Sequence, residues 1–235
     1  GSVHATDGWV HGMVVVTARV ITLGWVKVPV DPTAAEFDVV GIGNALVDVL
    51  SHETDEVVSS LGVAKGSMTL VDEQRSAEIY AMTGPAVEIS GGSAANTIVG
   101  VAAMGGRAEY LGKVRDDQLG AVFAHDIRAT GVTYDVAPAP DGPATGACLI
   151  LVTPDAQRTM NTYLGASVHL GPDDIDRSRI ERASVLYLEG YLFDPPEAQE
   201  AFRVAARYAH DAGRIVSATL SDSFCVERHR GAFTD

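Results

Sequence analysis

The segment Ile89-Ser90-Gly91-Gly92-Ser93-Ala94-Ala95-Asn96-Thr97 carries a β-type run into a helix through two adjacent glycines and sets an asparagine in the helix's first turn. A junction of this kind commits the chain to an α/β arrangement in which backbone lines a small-molecule site. The glycines let amides approach a ligand closely, and the helix N-terminus adds unpaired N–H groups and a partial positive charge. Asn96 carries two donors and an acceptor and can read neighbouring hydroxyls, although an asparagine there can equally do no more than satisfy the glycine turn.

The flanking pattern supplies the rest of an α/β domain. Phe37 to Gly43 is a β-branched run ending in glycine, as expected of a buried strand. Asp72 opens a helical segment that stops before Gly84-Pro85. Ser93 to Met104 is apolar on every side and predicts a helix buried in the middle of the domain. Ala108 to Val114 reads as a strand, and Asp116 as the cap of a helix with Leu119, Val122, Phe123 and Ile127 in one stripe, ended by Gly131. Asp194-Pro195-Pro196-Glu197 reads as N-cap, N1 proline and capping glutamate of another helix, which strands at about 184–188 and 215–219 bracket as a βαβ unit. Thr145–Val152 and Arg158–Leu164 flank Thr153-Pro154-Asp155-Ala156-Gln157, a hairpin tip, with no long helix between them. With strands near 46–50 and 67–71 they predict a small β-lid standing off the main sheet.

Charge and cysteine usage narrow the partners. The 235 residues are 46% hydrophobic and 20% charged, enough to bury a substantial core. A net charge of −14 argues against nucleic acid or an anionic membrane as partner. Cys148 and Cys225 are far apart and match no zinc or redox spacing, so reduced thiols in a cytoplasmic protein are expected, and the seven histidines show no metal-ligand pair. Residues 1–36 differ from the remainder: Met13 to Val30 is valine-rich, but Arg19, Gly24, Lys27 and Pro29 interrupt it well short of a membrane span, and an atypical extension is expected there. A dinucleotide fingerprint fails because Gly41-x-Gly43 lacks its third glycine. There is no Walker-type loop and no Gly-x-Ser-x-Gly elbow.

Four motifs occur in order: Gly41-Ile42-Gly43-Asn44-Ala45-Leu46-Val47-Asp48, Gly91-Gly92-Ser93-Ala94-Ala95-Asn96, Gly112-Lys113-Val114-Arg115-Asp116-Asp117-Gln118-Leu119-Gly120, and Gln157-Arg158-Thr159-Met160. Together they resemble the ribokinase and phosphofructokinase-B family of sugar and nucleoside kinases over residues 37–235. The wording of the first motif, with Ser221-Asp222-Ser223-Phe224, resembles its adenosine-kinase-like members most. The resemblance implies a three-layer αβα sandwich with a small β-sheet lid, incomplete at the C-terminus, and phosphoryl transfer from ATP with Mg2+ to the primary hydroxyl of a nucleoside. A ribose- or fructose-type sugar kinase and a non-catalytic sugar- or nucleoside-binding remnant are the alternatives.

The resemblance also assigns residues. Asp48 matches the aspartate that accepts hydrogen bonds from sugar hydroxyls, with Asn44 just before it, and Gly91, Gly92 and Asn96 match the sugar pocket. A carboxylate facing an amide suits vicinal hydroxyls, since leaving either group unpaired in a closed site is costly. A solvated strand-end charge is the competing reading of Asp48. Arg158 matches a lid arginine that approaches the transferring phosphate, which its planar fork suits, or is simply solvated at the tip. Met160 shares its face by strand alternation, and Tyr191 either stacks on a purine or packs at the rim. Two segments of the family are absent: nothing matches its Asp-Thr-x-Gly-Ala-Gly-Asp anion hole and base, or its Asn-x-x-Glu segment, before the sequence stops at Asp235. The expectation is a truncated chain without turnover of its own, binding a small molecule and open to homodimer formation through the lid or an exposed sheet edge.

Overall fold

The computed structural model describes residues 35–233. The expected extension therefore lies almost wholly outside the described residues. Strand β1 (Phe37–Ile42) leads through Gly43-Asn44-Ala45 into β2 (Leu46–His52), followed by α1 (Asp55–Ser60), β3 (Met68–Leu70) and α2 (Glu73–Met82). Strand β4 (Ala86–Gly91) turns into α3 (Ser93–Ala103), and β5 (Ala108–Leu111), α4 (Gln118–Ala129), β6 (Thr145–Val152) and β7 (Arg158–Gly165) follow. The chain continues with α5 (Arg177–Glu181), β8 (Ala183–Glu189), α6 (Pro196–Asp211), β9 (Ile215–Thr219) and α7 (Ser223–His229).

The strands form two separate sheets. The first has the order β5-β1-β8-β9 and is parallel throughout, with α6 joining β8 to β9 as a βαβ unit. Strand alternation fills both of its faces. Val40, Ile42, Leu186 and Leu188 enter one core cluster with Ile180 of α5 and Phe202 of α6, whereas Val39 and Tyr187 pack against another with Ile98 of α3 and Tyr110. This is the expected αβα layering.

The second sheet has the order β3-β7-β6-β2-β4 and stands off the first, as the missing crossover helix between β6 and β7 predicted. It holds five strands rather than the four expected, because β4 pairs antiparallel with β2. One face is apolar and buried: Val47, Val49, Leu149 and Leu151 join the core, and α2 and α4 back this sheet. The alternate residues, including Leu46, Asp48, Cys148, Ile150, Met160 and Thr162, line a cavity on the other face.

Four local expectations are corrected. The cap of α4 is Asp117, not Asp116: its carboxylate accepts from Gly120 N at 2.8 Å and from Thr145 N at 2.9 Å, so it ties the helix to β6. Asp194 does not cap α6, whose N-cap is Pro195. Its carboxylate instead receives the Arg228 Nε and Nη2 atoms at 3.0 and 3.1 Å. The strand from Ala108 ends at Leu111 rather than Val114. Finally, α3 buries one face only, through Ala94, Ala95 and Ile98, while Asn96 and Thr97 are exposed and Met104 beyond its end is 84% exposed.

Candidate functional site

The site assembles where the first sheet's strands end beneath the second sheet. At the double glycine, Gly91 is the last residue of β4 and Gly92 caps α3 with φ +107, a region that glycine enters without strain. A β-carbon on Gly92 would overlap the Asn44 carbonyl, and one on Gly91 would overlap the Asp48 carboxylate. The glycines thus bring two turns into contact. Ser90 fixes their entry, donating both N–H and Oγ–H to Asp126 Oδ2 of α4 at 2.7 and 2.8 Å.

Asp48 looks from β2 into the cavity and has no hydrogen-bond or ion-pair partner among the described residues. Burial pushes its carboxyl up to about 6, against the pull of the Arg158 guanidinium. Arg158 lines the same cavity from the start of β7 and is exposed there, so it is solvated at the tip as well as placed at the cavity.

Asn44 is nearly fully buried, and its amide is mostly committed. Oδ1 accepts from Ser167 Oγ at 2.8 Å, and Nδ2 donates to Glu189 Oε2 at 2.8 Å, leaving one N–H toward the cavity. Glu189 is a residue that sequence reasoning missed. It closes β8, is 1% exposed, and accepts from Asn44 N at 2.7 Å and Ala94 N at 2.8 Å besides the Asn44 amide. Burial pushes its carboxyl above the ordinary range, opposed by these N–H donors. One helix-terminal amide expected to face a ligand is consequently spent on Glu189. The signal that could have found it is a lone carboxylate ending an apolar strand, since such a group needs donors.

The remaining expected residues divide. Gly92 and Met160 line the cavity, as does Tyr191, whose hydroxyl donates to Asp222 Oδ2 at 3.3 Å and whose phenol burial pushes up to about 12. Gly91 sits behind Asp48. Asn96 lies on the exposed side of the α3 turn and is not in the lining. The cavity has a volume of about 510 Å³, the size of a small-molecule site. Its far wall comes from α7, where Phe224 stands 68% exposed, facing a lid that also exposes Met68 and Leu70.

Residues 63–230 match the family model described as pfkB family carbohydrate kinase. The chain belongs to that family. Among solved structures, the adenosine kinase from Sinorhizobium meliloti is 52% identical with a TM-score of 0.77, over 85% of this chain and 61% of that one. A probable sugar kinase protein from Rhizobium etli CFN 42 is 51% identical with a TM-score of 0.78, over 86% of this chain and 61% of that one. A 5-dehydro-2-deoxygluconokinase of Geobacillus kaustophilus (strain HTA426) is 30% identical over 129 residues, which are 54% of this chain and 38% of the relative. The chain thus spans under two thirds of each.

Proposed function

We propose that this chain holds the acceptor in an ATP-dependent kinase that phosphorylates the primary hydroxyl of a nucleoside, adenosine in the first instance. The observation that carries the reading is the Asp48 carboxylate, which lines the cavity beside the double glycine without a hydrogen-bond partner, whereas the other cavity acids are engaged. Ionised, it accepts from two vicinal hydroxyls, and its desolvation makes those bonds worth more than they would be in water. The free Asn44 N–H and the Gly92 turn complete a polar floor. Above it, Met160, Ile150 and Leu70 of the lid face Phe224 and Tyr191, a slot that suits a planar base better than bare solvent. Arg158 brings a permanent positive charge to the hydroxyl end.

ATP supplies the phosphoryl group in this reading. Among the described residues no group of three or more His, Cys, Asp or Glu side chains could hold a metal ion. The cavity acids other than Asp48 are engaged: Glu189 by N–H donors, Asp194 by Arg228, and Asp222 by Cys225 N at 2.7 Å. These residues do not fit magnesium, and with the Ala94 amide already taken by Glu189 they do not form a phosphate cradle either. The role of this chain is accordingly to bind the acceptor, orient its hydroxyl and exclude water beneath the lid.

A second reading is a sugar acceptor of the ribose or fructose type, favoured by the name of the Rhizobium etli relative. A thermal-shift panel separates the two. Adenosine alone raises the midpoint if the apolar slot takes a base, by about 5–10 °C at a ligand concentration near 100 times Kd. A shift with ribose or fructose equal to that with adenosine favours the sugar reading, and no shift with any of the three overturns both.

A further inference from the structure

The hairpin tip that carries Arg158 is tied down by a side chain that lies outside the cavity. Lys65, in the α1–β3 connection, places its ammonium 2.6 Å from Asp55 Oδ1 at the start of α1 and 2.7 Å from Asp155 Oδ2 in the tip. Asp155 is the hub of the tip. Its other oxygen accepts from Thr153 Oγ1 at 2.7 Å, and the turn closes through Ala156 N to Thr153 O at 2.8 Å, with Ala156 held at φ +62. A parallel tie runs beside it, from Gly66 N to Thr159 Oγ1 at 2.9 Å. The Arg158 guanidinium is exposed, lines the cavity with Asp48 and makes no hydrogen bond or ion pair among the described residues, so the backbone of the tip sets where its side chain starts.

We propose that Lys65 is a positioning residue, clamping the lid tip to α1 through Asp155 and thereby fixing Arg158 across the cavity from Asp48. Asp55 and Asp155 sit on different elements, 100 residues apart in sequence, so one ammonium between two carboxylates joins them without a carbon contact. Its carboxylate partners raise the Lys65 ammonium and hold Asp155 down to about 2, which keeps the clamp charged through the neutral range. Exposed pairs add little to global stability, so the clamp tunes one segment rather than the fold. Arginine, with its flat fork and longer stem, keeps the charge and can still span the two carboxylates.

The test needs no ligand, so its outcome is independent of the kinase reading on which the role of Arg158 rests. Two NMR measurements on the 235-residue protein suffice: amide exchange of Gly66 and Ala156, and the titration midpoint of the Asp48 carboxyl, which the Arg158 charge depresses. Lys65→Met is expected to speed exchange at the tip about three- to tenfold while exchange in α4 stays unchanged. It should also move the Asp48 midpoint upward, toward that of Arg158→Ala. Lys65→Arg should restore both, and Lys65→Met should move nothing further in the Arg158→Ala background. An Asp48 midpoint in Lys65→Met equal to that of the unmodified protein overturns the proposal, as does unchanged exchange at the tip.

Discussion

Asp48 and Gly91 define one another. The carboxylate fills the space in which a residue other than glycine at 91 would place its β-carbon. Gly91→Ala is therefore expected to push the Asp48 side chain from its position at a cost of about 1–3 kcal/mol, read by urea denaturation, with much of that cost absent when residue 48 is also alanine. The carboxyl's own energetics can be measured separately. Burial raises the carboxyl from the ordinary 3.8 to about 6, so the native state binds the proton more tightly than the unfolded chain, and stability falls as pH rises between these two values. Asp48→Asn should accordingly stabilise the protein at pH 7 by on the order of 3 kcal/mol, and the gain should vanish near pH 4. A site residue whose removal strengthens the fold is held for function. Gly92 was legible in sequence as one of a glycine pair closing a β-type run, and Asp48, inside β2, through the motif that resembles the family's sugar-binding aspartate. Glu189 was not, because its donors Asn44 and Ala94 lie 145 and 95 residues away, and only the packed fold brings them together.

At the scale of elements, side-chain ties aim the turns of the site. Asp126 of α4 holds both donors of Ser90, which is 8% exposed, so Asp126→Ala leaves them buried without an acceptor. A loss of about 1–3 kcal/mol is expected, with an unchanged denaturant slope if only this tie is removed. The wall formed by α7 depends on Asp194, which receives Arg228 and also stands 2.6 Å from His229 Nε2. Asp194→Ala should raise amide exchange at Cys225 and Val226 of α7 while leaving the interior of α6 protected, measured by hydrogen exchange. Strand periodicity had announced the main strands and the lid hairpin, since each has one face that must be buried. Caps were less legible. Asp116 and Asp117 are equally good caps by residue type, and only the contact of Asp117 with Thr145 on β6 selects between them. Asp194 likewise has the residue type of a cap, but a bidentate arginine on a distant helix outcompetes the nearby amides.

At the scale of the whole described fold, the two sheets share one core, and the cavity lies between the strand ends of the first sheet and the lid face that carries Asp48. The lid's alternation makes this possible: a shift of one residue in β2 would send Val47 and Val49 into the cavity and Asp48 into the core. Among the described residues β9 pairs on one side only, with β8, and its Ile215 is 44% exposed. We propose that this edge supports association, and light scattering should show the mass per particle rising with concentration. No helix among the described residues is long and apolar enough to cross a membrane. The layered architecture was legible from the order of strands and helices, whereas the membership of β4 in the lid sheet was not, because its partner β2 lies beyond α1, β3 and α2 in the chain and only the packed fold pairs them. In the function we propose, the cavity holds the acceptor through the Asp48 carboxylate. Titration calorimetry with adenosine at pH 7.5, on the unmodified chain and on Asp48→Asn, tests it most directly. Binding should weaken about 10- to 100-fold in the variant and, for the unmodified chain, as pH falls through about 6. Equal affinity in the two proteins, or no binding to the unmodified chain, would contradict it.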